Sequence, residues 1–248
     1  MFSKKSNGKV VPPAASERRG RGRPPGRTRE GEATRRRLYT LSIRMIASRG
    51  YEATTLRDIA KRAGVSPGLL YRYFPSKRAV VLALYDDLST EYAMRASKMD
   101  VGPWQSRFLF ALKASLDVLG RQRATLAALT SVLFGDAEGG LFAPATAPSR
   151  GRVEAVFHEV VRGASDAPSA GAAAPVGRLL YFAHLAIILW WLLDKSPRQR
   201  ATRELMALLS LALPFVGPAL WLEPSRTFVE TVSRLCGAGL LGDAALPG

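Results

Sequence analysis

The chain has 248 residues and a formal charge of +16, from 36 Lys and Arg against 20 Asp and Glu. The excess is uneven: residues 1–100 hold 22 basic and 9 acidic side chains, and the remaining 148 hold 14 and 11. A cationic first part joined to a nearly neutral body points to a polyanion-binding end on an ordinary globular domain; nucleic acid is the leading partner and an anionic membrane surface the alternative. The single cysteine, Cys236, excludes an intramolecular disulfide framework and a multi-cysteine zinc site. MFSKKSNGKVVPPAAS, at the N-terminus, lacks the apolar segment of a signal peptide, so a cytoplasmic chain is expected.

Residues 1–32 are rich in Pro, Gly, Arg, Lys and Ser and read as a disordered basic arm. Within it, Arg21-Gly22-Arg23-Pro24 resembles the core of an AT-hook, whose arginines enter the narrow minor groove of A/T-rich DNA. The other reading is a basic tail that raises affinity without reading sequence. Leu38, Leu41, Met45 and Ile46 then form an apolar stripe on a first helix that Gly50 stops. Thr55 and Asp58 have the spacing of a capping box opening a second helix, with Leu56, Ile59, Ala60 and Ala63 on one face and Gly64 at its end. Ser66 is the next N-cap and Pro67 suits the first helical position, so a third helix of about seven residues (roughly 10 Å) ends near Tyr73, before Phe74-Pro75. Ser76 caps a fourth helix running toward residue 99. Two helices joined by a glycine-containing turn make a helix-turn-helix, with residues 33–80 as its domain.

Residues 81–248 read as a helical regulatory and dimerisation domain, with helices near 103–120, 123–135, 150–164, 176–195, 200–216 and 224–236. Two apolar runs stand out. The run over 179–193 has 15 residues, roughly 22 Å as a helix, short of a bilayer core of about 30 Å. The run over 205–222 meets Pro214, Gly217 and Pro218, which break or kink a helix. A membrane hairpin is one reading of the pair. The preferred one buries them between their own domain and a second copy of the chain, without a membrane.

The segment TRRRLYTLSIRMIASRGYEATTLRDIAKRAGVSPGLLYRYFPSKRAVVLAL, residues 34–84, resembles the DNA-binding domain of the TetR (tetracycline repressor) family of bacterial transcription regulators, through the ordered set Gly50, Thr55, Ile59, Ala60, Gly64, Val65, Ser66, Gly68, Leu70, Tyr71, Phe74 and Lys77. The resemblance implies an all-α fold: an N-terminal three-helix helix-turn-helix domain followed by a helical ligand-binding and dimerisation domain. It implies that Thr55, Tyr71, Tyr73 and Lys77 contact phosphates, and that Ser66, Pro67, Gly68, Leu69 and Arg72 lie on or beside the base-reading surface. Tyr73 stands where histidine is frequent and Leu69 where a small or hydroxyl residue is common. Thr55 and Ser66 are also wanted simply as caps. The resemblance further implies a homodimer through the helices near 176–195 and 200–216, setting two recognition helices about 34 Å apart on a near-palindromic double-stranded DNA operator.

Trp104, Phe108, Phe134, Phe157, Tyr181 and His184 are candidates for a pocket taking an apolar or aromatic small molecule, each with plain core as the other reading. No metal site, cofactor or catalytic group is expected: His158 and His184 have no ligand-spaced partner, and no histidine follows His158-Glu159 at the zinc-protease spacing. Asp86 and Asp87 are adjacent and point apart on a helix, so they do not form an acid–base pair. The expected function is a sequence-specific transcriptional regulator, cytoplasmic and nucleoid-associated, a dimeric repressor released from its operator by a small molecule. The alternatives are an architectural DNA binder with little sequence preference and a membrane-associated protein anchored through 179–222.

Overall fold

The computed structural model describes residues 29–135, 140–168, 170–216 and 225–242, which are helical with no strand among them. The arm therefore lies outside the described residues as far as residue 28. Its last four residues do not follow the expectation of disorder: α1 runs Arg29–Arg49, with Glu30 and Glu32 in the first turn, where carboxylates favour the positive end of the helix dipole. Leu38, Ile43, Met45 and Ile46 face inward, and the helix ends as Gly50 turns to φ 85° with its N–H on Ile46 O at 2.9 Å. α2 is Leu56–Ala63, α3 is Pro67–Tyr73 and α4 is Lys77–Ala96.

The core of these four helices is not closed by them alone. Leu38, Ile46, Ile59, Leu70, Phe74, Val80 and Leu84 share one apolar cluster with Leu126, Leu129, Val132 and Leu133, and with Trp191 and Leu192 near the end of a later helix. The single helix expected over 123–135 is two, α6 (Arg123–Ala128) and α7 (Thr130–Gly135), with Leu129 between them at φ −99°, ψ 3°. Thr130 Oγ1 donates to Ala127 O at 2.8 Å, a side-chain bond to the preceding turn of the kind that bends helices.

A second cluster joins the far half of α4 to α5 (Trp104–Gly120), α8 (Ala147–Arg162), α9 (Ala170–Leu193) and α11 (Ser225–Cys236). Arg107 is buried inside it, yet every guanidinium nitrogen has a carbonyl: Nε on Val160 O at 3.0 Å, Nη1 on Asp100 O at 2.7 Å and Nη2 on Glu159 O at 2.9 Å. A cation on the last-turn carbonyls of α8 also favours that end of its dipole.

α9 begins at Ala170 rather than near 176, because Ala172, Ala173 and Ala174 favour helix strongly enough to carry it through Pro175. This overturns the length argument against a membrane span: Ala172–Leu193 has 22 residues with mean hydropathy 1.7, long and apolar enough to cross a bilayer. Here Val176, Leu180, Tyr181, His184, Ile187 and Trp191 of this helix are buried against neighbouring helices. α10 (Arg200–Val216) continues through Pro214, where a break was expected; residues 217–224 lie outside the described set. Asp194 organises the turn between α9 and α10. Its Oδ1 accepts from Ser196 N (2.8 Å) and Oγ (2.6 Å), and its Oδ2 from Thr202 N (3.0 Å) and Oγ1 (2.6 Å), bonds that hold its carboxyl well below the ordinary range.

Candidate nucleic-acid interface and interior cavity

The helix-turn-helix is built from local bonds at both ends of its turn. Thr55 Oγ1 accepts from Asp58 N at 3.1 Å and donates to Asp58 Oδ2 at 2.6 Å, while Thr55 N donates to the same carboxylate oxygen at 3.3 Å. That capping box starts α2 and lowers the Asp58 pKa, chiefly through the Thr55 hydroxyl. At the other end Gly64 takes φ 66°, with Val65 N on Ala60 O at 3.1 Å and Gly64 N on Lys61 O at 3.2 Å, the paired bonds of a Schellman stop. Two residues on, Ser66 Oγ accepts from Leu69 N at 3.2 Å and Pro67 opens α3.

Leu70 is the fully buried anchor of α3, and Phe74, also buried, stacks on Tyr39 of α1 with ring centroids 6.4 Å apart. The opposite face of α3 is left to solvent. Pro67, Gly68, Tyr71 and Arg72 are exposed, with Leu69 and Tyr73 half-buried beside them. A tyrosine ring 46% exposed has no packing reason to be there, whereas a phenol beside a guanidinium suits phosphate. Ser66 and Thr55 are exposed too, but their hydroxyls already serve as caps. Lys77 is drawn inward: its Nζ donates to Tyr51 O, lies 3.9 Å from the centroid of the Tyr51 ring and 4.0 Å from Glu52, and its side chain is only 21% exposed. It braces the loop before α2 against the start of α4. Arg21 and Arg23 lie outside the described residues.

Sequence reasoning passed over other exposed cations of this domain: Arg57, Lys61 and Arg62 on α2, and Arg36, Arg37 and Arg44 on α1. The signal for them was the concentration of charge in the first 100 residues, which says how much cation is present and not which side chains face outward.

A half-open cavity of about 140 Å³ lies among α4, α5, α6, α7, α8 and α9. Three of the six candidate pocket residues line it: Phe134, Tyr181 and His184. Trp104, Phe108 and Phe157 do not, because all three are consumed by the packing of α5 on α8. Phe157 approaches only indirectly, its ring 4.8 Å from that of His184. Tyr85, Leu88, Ser89 and Tyr92 of α4 were missed, although their spacing puts them on one helix face. His184 is stacked 5.9 Å from Tyr92, its Nε2 lies 2.8 Å from Ser115 Oγ, and burial lowers its pKa to about 3, so the ring is uncharged. Among the described residues no group of three or more His, Cys, Asp or Glu is placed to hold a metal.

Residues 38–84 match the family model described as bacterial regulatory proteins, tetR family. The HTH-type transcriptional repressor KstR2 of Rhodococcus jostii is 39% identical over 74 residues, which are 28% of this chain and 36% of that protein. The HTH-type transcriptional activator FasR of Mycolicibacterium smegmatis is likewise 39% identical over 74 residues, covering 28% and 34%. The similarity to these curated proteins thus spans about a third of their length. Among solved structures, a TetR transcriptional regulator from Nitrosomonas europaea superposes with a TM-score of 0.53 at 22% identity, over 74% of this chain and 99% of that one, a likeness of fold.

Proposed function

We propose that this chain, whose residues 38–84 match the model of the tetR family of bacterial regulatory proteins, is a dimeric, sequence-specific transcriptional regulator of that family, non-enzymatic and cytoplasmic, released from a near-palindromic operator by a small molecule. The observation that carries this is α3: seven residues held by a Schellman turn and a Ser66 cap, anchored by Leu70, with Pro67, Gly68, Tyr71 and Arg72 outward on a cationic domain. Tyr71, Tyr73 and the α2 cations set the register on phosphates; Pro67, Gly68, Leu69 and Arg72 meet base edges, Leu69 offering apolar contact to a thymine methyl. Thr55 and Ser66 act mainly as caps, their side-chain oxygens already engaged by backbone N–H groups. Arg21 and Arg23 of the arm add minor-groove contact.

The second copy is expected on the late helices. Leu208, Leu211 and Phe215 of α10, and Trp190 and Leu193 of α9, are large apolar side chains left exposed on a single chain. Their burial by a partner accounts for an apolar surface that a lone soluble chain would not keep. Coupling runs through α4. Its first half (Val80, Val81, Leu84) belongs to the core of the DNA-binding helices, and its second half (Leu88, Ser89, Tyr92) forms a wall of the cavity, so whatever fills the cavity acts on a helix that positions α3. Repression is the direction proposed, by likeness to the repressor KstR2, and the similarly matched activator FasR marks the other one.

Selection of bound duplexes from a random pool tests the reading. A palindrome with half-sites about one helical turn apart is the expected product. Enrichment of A/T-rich DNA with no palindrome, abolished as salt rises, would replace it with an architectural binder driven by the arm.

A further inference from the structure

We propose that the cavity takes a small uncharged ring compound carrying one hydrogen-bonding oxygen, of the aryl ketone or phenol class, and that Tyr92, Tyr181 and His184 recognise that oxygen. The inference rests on the reading of the cavity as an effector site and names the chemistry of its occupant. Size comes first: about 140 Å³ is close to an engineered apolar cavity of about 150 Å³ that holds benzene, so one ring with a short substituent fits. The walls are mostly hydrocarbon, including Leu88, Leu119, Leu185 and Ile188.

Charge then divides the possible occupants. No aspartate or glutamate is among the lining residues, so nothing answers a cationic ligand. The one lining cation, Arg150, is tied to the segment that closes the cavity, with Nη1 on Leu141 O at 3.2 Å, Ala143 O at 3.3 Å and Thr146 Oγ1 at 3.4 Å. Those bonds commit Nη1 to the wall, so an anion would find only the remaining nitrogens of a guanidinium that is already engaged. A pure hydrocarbon leaves a different fault. Tyr92 Oη, Tyr181 Oη and His184 Nδ1 are buried without a hydrogen-bond partner, on side chains 3%, 1% and 4% exposed that all line this cavity. Buried polar atoms are nearly always paired, and three unpaired ones on residues that line one cavity call for a polar partner there. The phenols can donate, and the uncharged imidazole supplies one donor and one acceptor, with Ser115 on its other nitrogen.

Calorimetric titration of the full chain with ethylbenzene, acetophenone and benzoate, which share a ring and differ in the head group, reads this directly. Acetophenone should bind once per chain, about tenfold or more tighter than either of the others, the worth of one net hydrogen bond. In Tyr92→Phe/Tyr181→Phe, which leaves only His184 to meet the oxygen, acetophenone should lose most of its advantage over ethylbenzene, while ethylbenzene, which uses neither hydroxyl, still binds and so certifies an intact cavity. Tighter binding of benzoate would assign the site to an anion held by Arg150, equal binding of ethylbenzene would make it a purely apolar void, and binding of none of the three would remove the ligand class; each overturns the proposal. DNA titration of the same preparation keeps the readings apart. Absence of probe binding with DNA affinity retained overturns only the ligand assignment, and probe binding without DNA affinity supports it while overturning the regulator.

Discussion

Gly177→Ala places a methyl group in the seam between α8 and α9. A Cβ built there stands 2.7 Å from His158 Nδ1, 3.0 Å from His158 Cα and 3.2 Å from Phe157 O. The imidazole can swing aside, but the two backbone atoms cannot, so the helices must part by a few tenths of an ångström along a seam that also packs Phe157 and Tyr181. Overpacking of this kind costs about 1–3 kcal/mol, against which alanine in a helix interior recovers about 0.5–1 kcal/mol. The net expectation is a loss of about 1–2 kcal/mol, or roughly 2–8 °C in Tm for a chain of this size. Gly151→Ala, in the same α8 but exposed and with nothing within 4 Å of the new Cβ, keeps the helical gain alone and should stabilise by about 0.5–1 kcal/mol. Urea denaturation of the two variants beside the parent measures both signs. If Gly177→Ala is as stable as Gly151→Ala, α8 and α9 are not in the close contact described and do not form the cavity wall assigned to them.

Three further expectations follow from named groups. His184 has a folded pKa of about 3 against an ordinary value of about 6.5, so the unfolded chain binds a proton that the folded chain refuses, and stability falls as pH drops through that window. Between pH 7 and 5.5 the parent should lose about 1 kcal/mol more than His184→Gln in urea titrations; parallel profiles would contradict a buried neutral imidazole. Leu211→Glu, at a position already exposed on the single chain, should leave helicity unchanged and shift sedimentation toward the monomer, whereas an unchanged dimer would move the interface off α10. Deleting residues 1–28 should weaken DNA binding and flatten the slope of log K against log salt by about 0.9 for each phosphate that the arm neutralises; an unchanged slope would mean that the arm does not touch DNA.

The DNA-binding segment is legible in the sequence because its signals are local. Thr55-x-x-Asp58, Gly64, Ser66-Pro67 and Phe74-Pro75 act through bonds spanning three to five residues or through fixed φ values, and each cap and stop falls where those residues predict it. What is illegible depends on distant partners. Nothing near Lys77 in sequence announces that its ammonium turns to Tyr51, 26 residues away. Trp104, Phe108 and Phe157 have the same aromatic character as Tyr181, and only the docking of α5 on α8 sorts core from cavity. α9 starts earlier than its sequence suggests because Pro175 resembles a boundary, while the alanines before it and the burial of Val176 and Leu180 carry the helix past it.

The central claim is that the outer face of α3 reads DNA as part of a dimer. Anisotropy titration of the duplex enriched by selection, with the parent chain and with Tyr71→Ala, tests it most directly. The account predicts saturation at an even number of chains per palindrome, and a loss of affinity of at least about tenfold for the variant, with its helicity and thermal transition preserved because the Tyr71 ring packs little. Equal affinity of parent and variant, or saturation at one chain per palindrome, would contradict it.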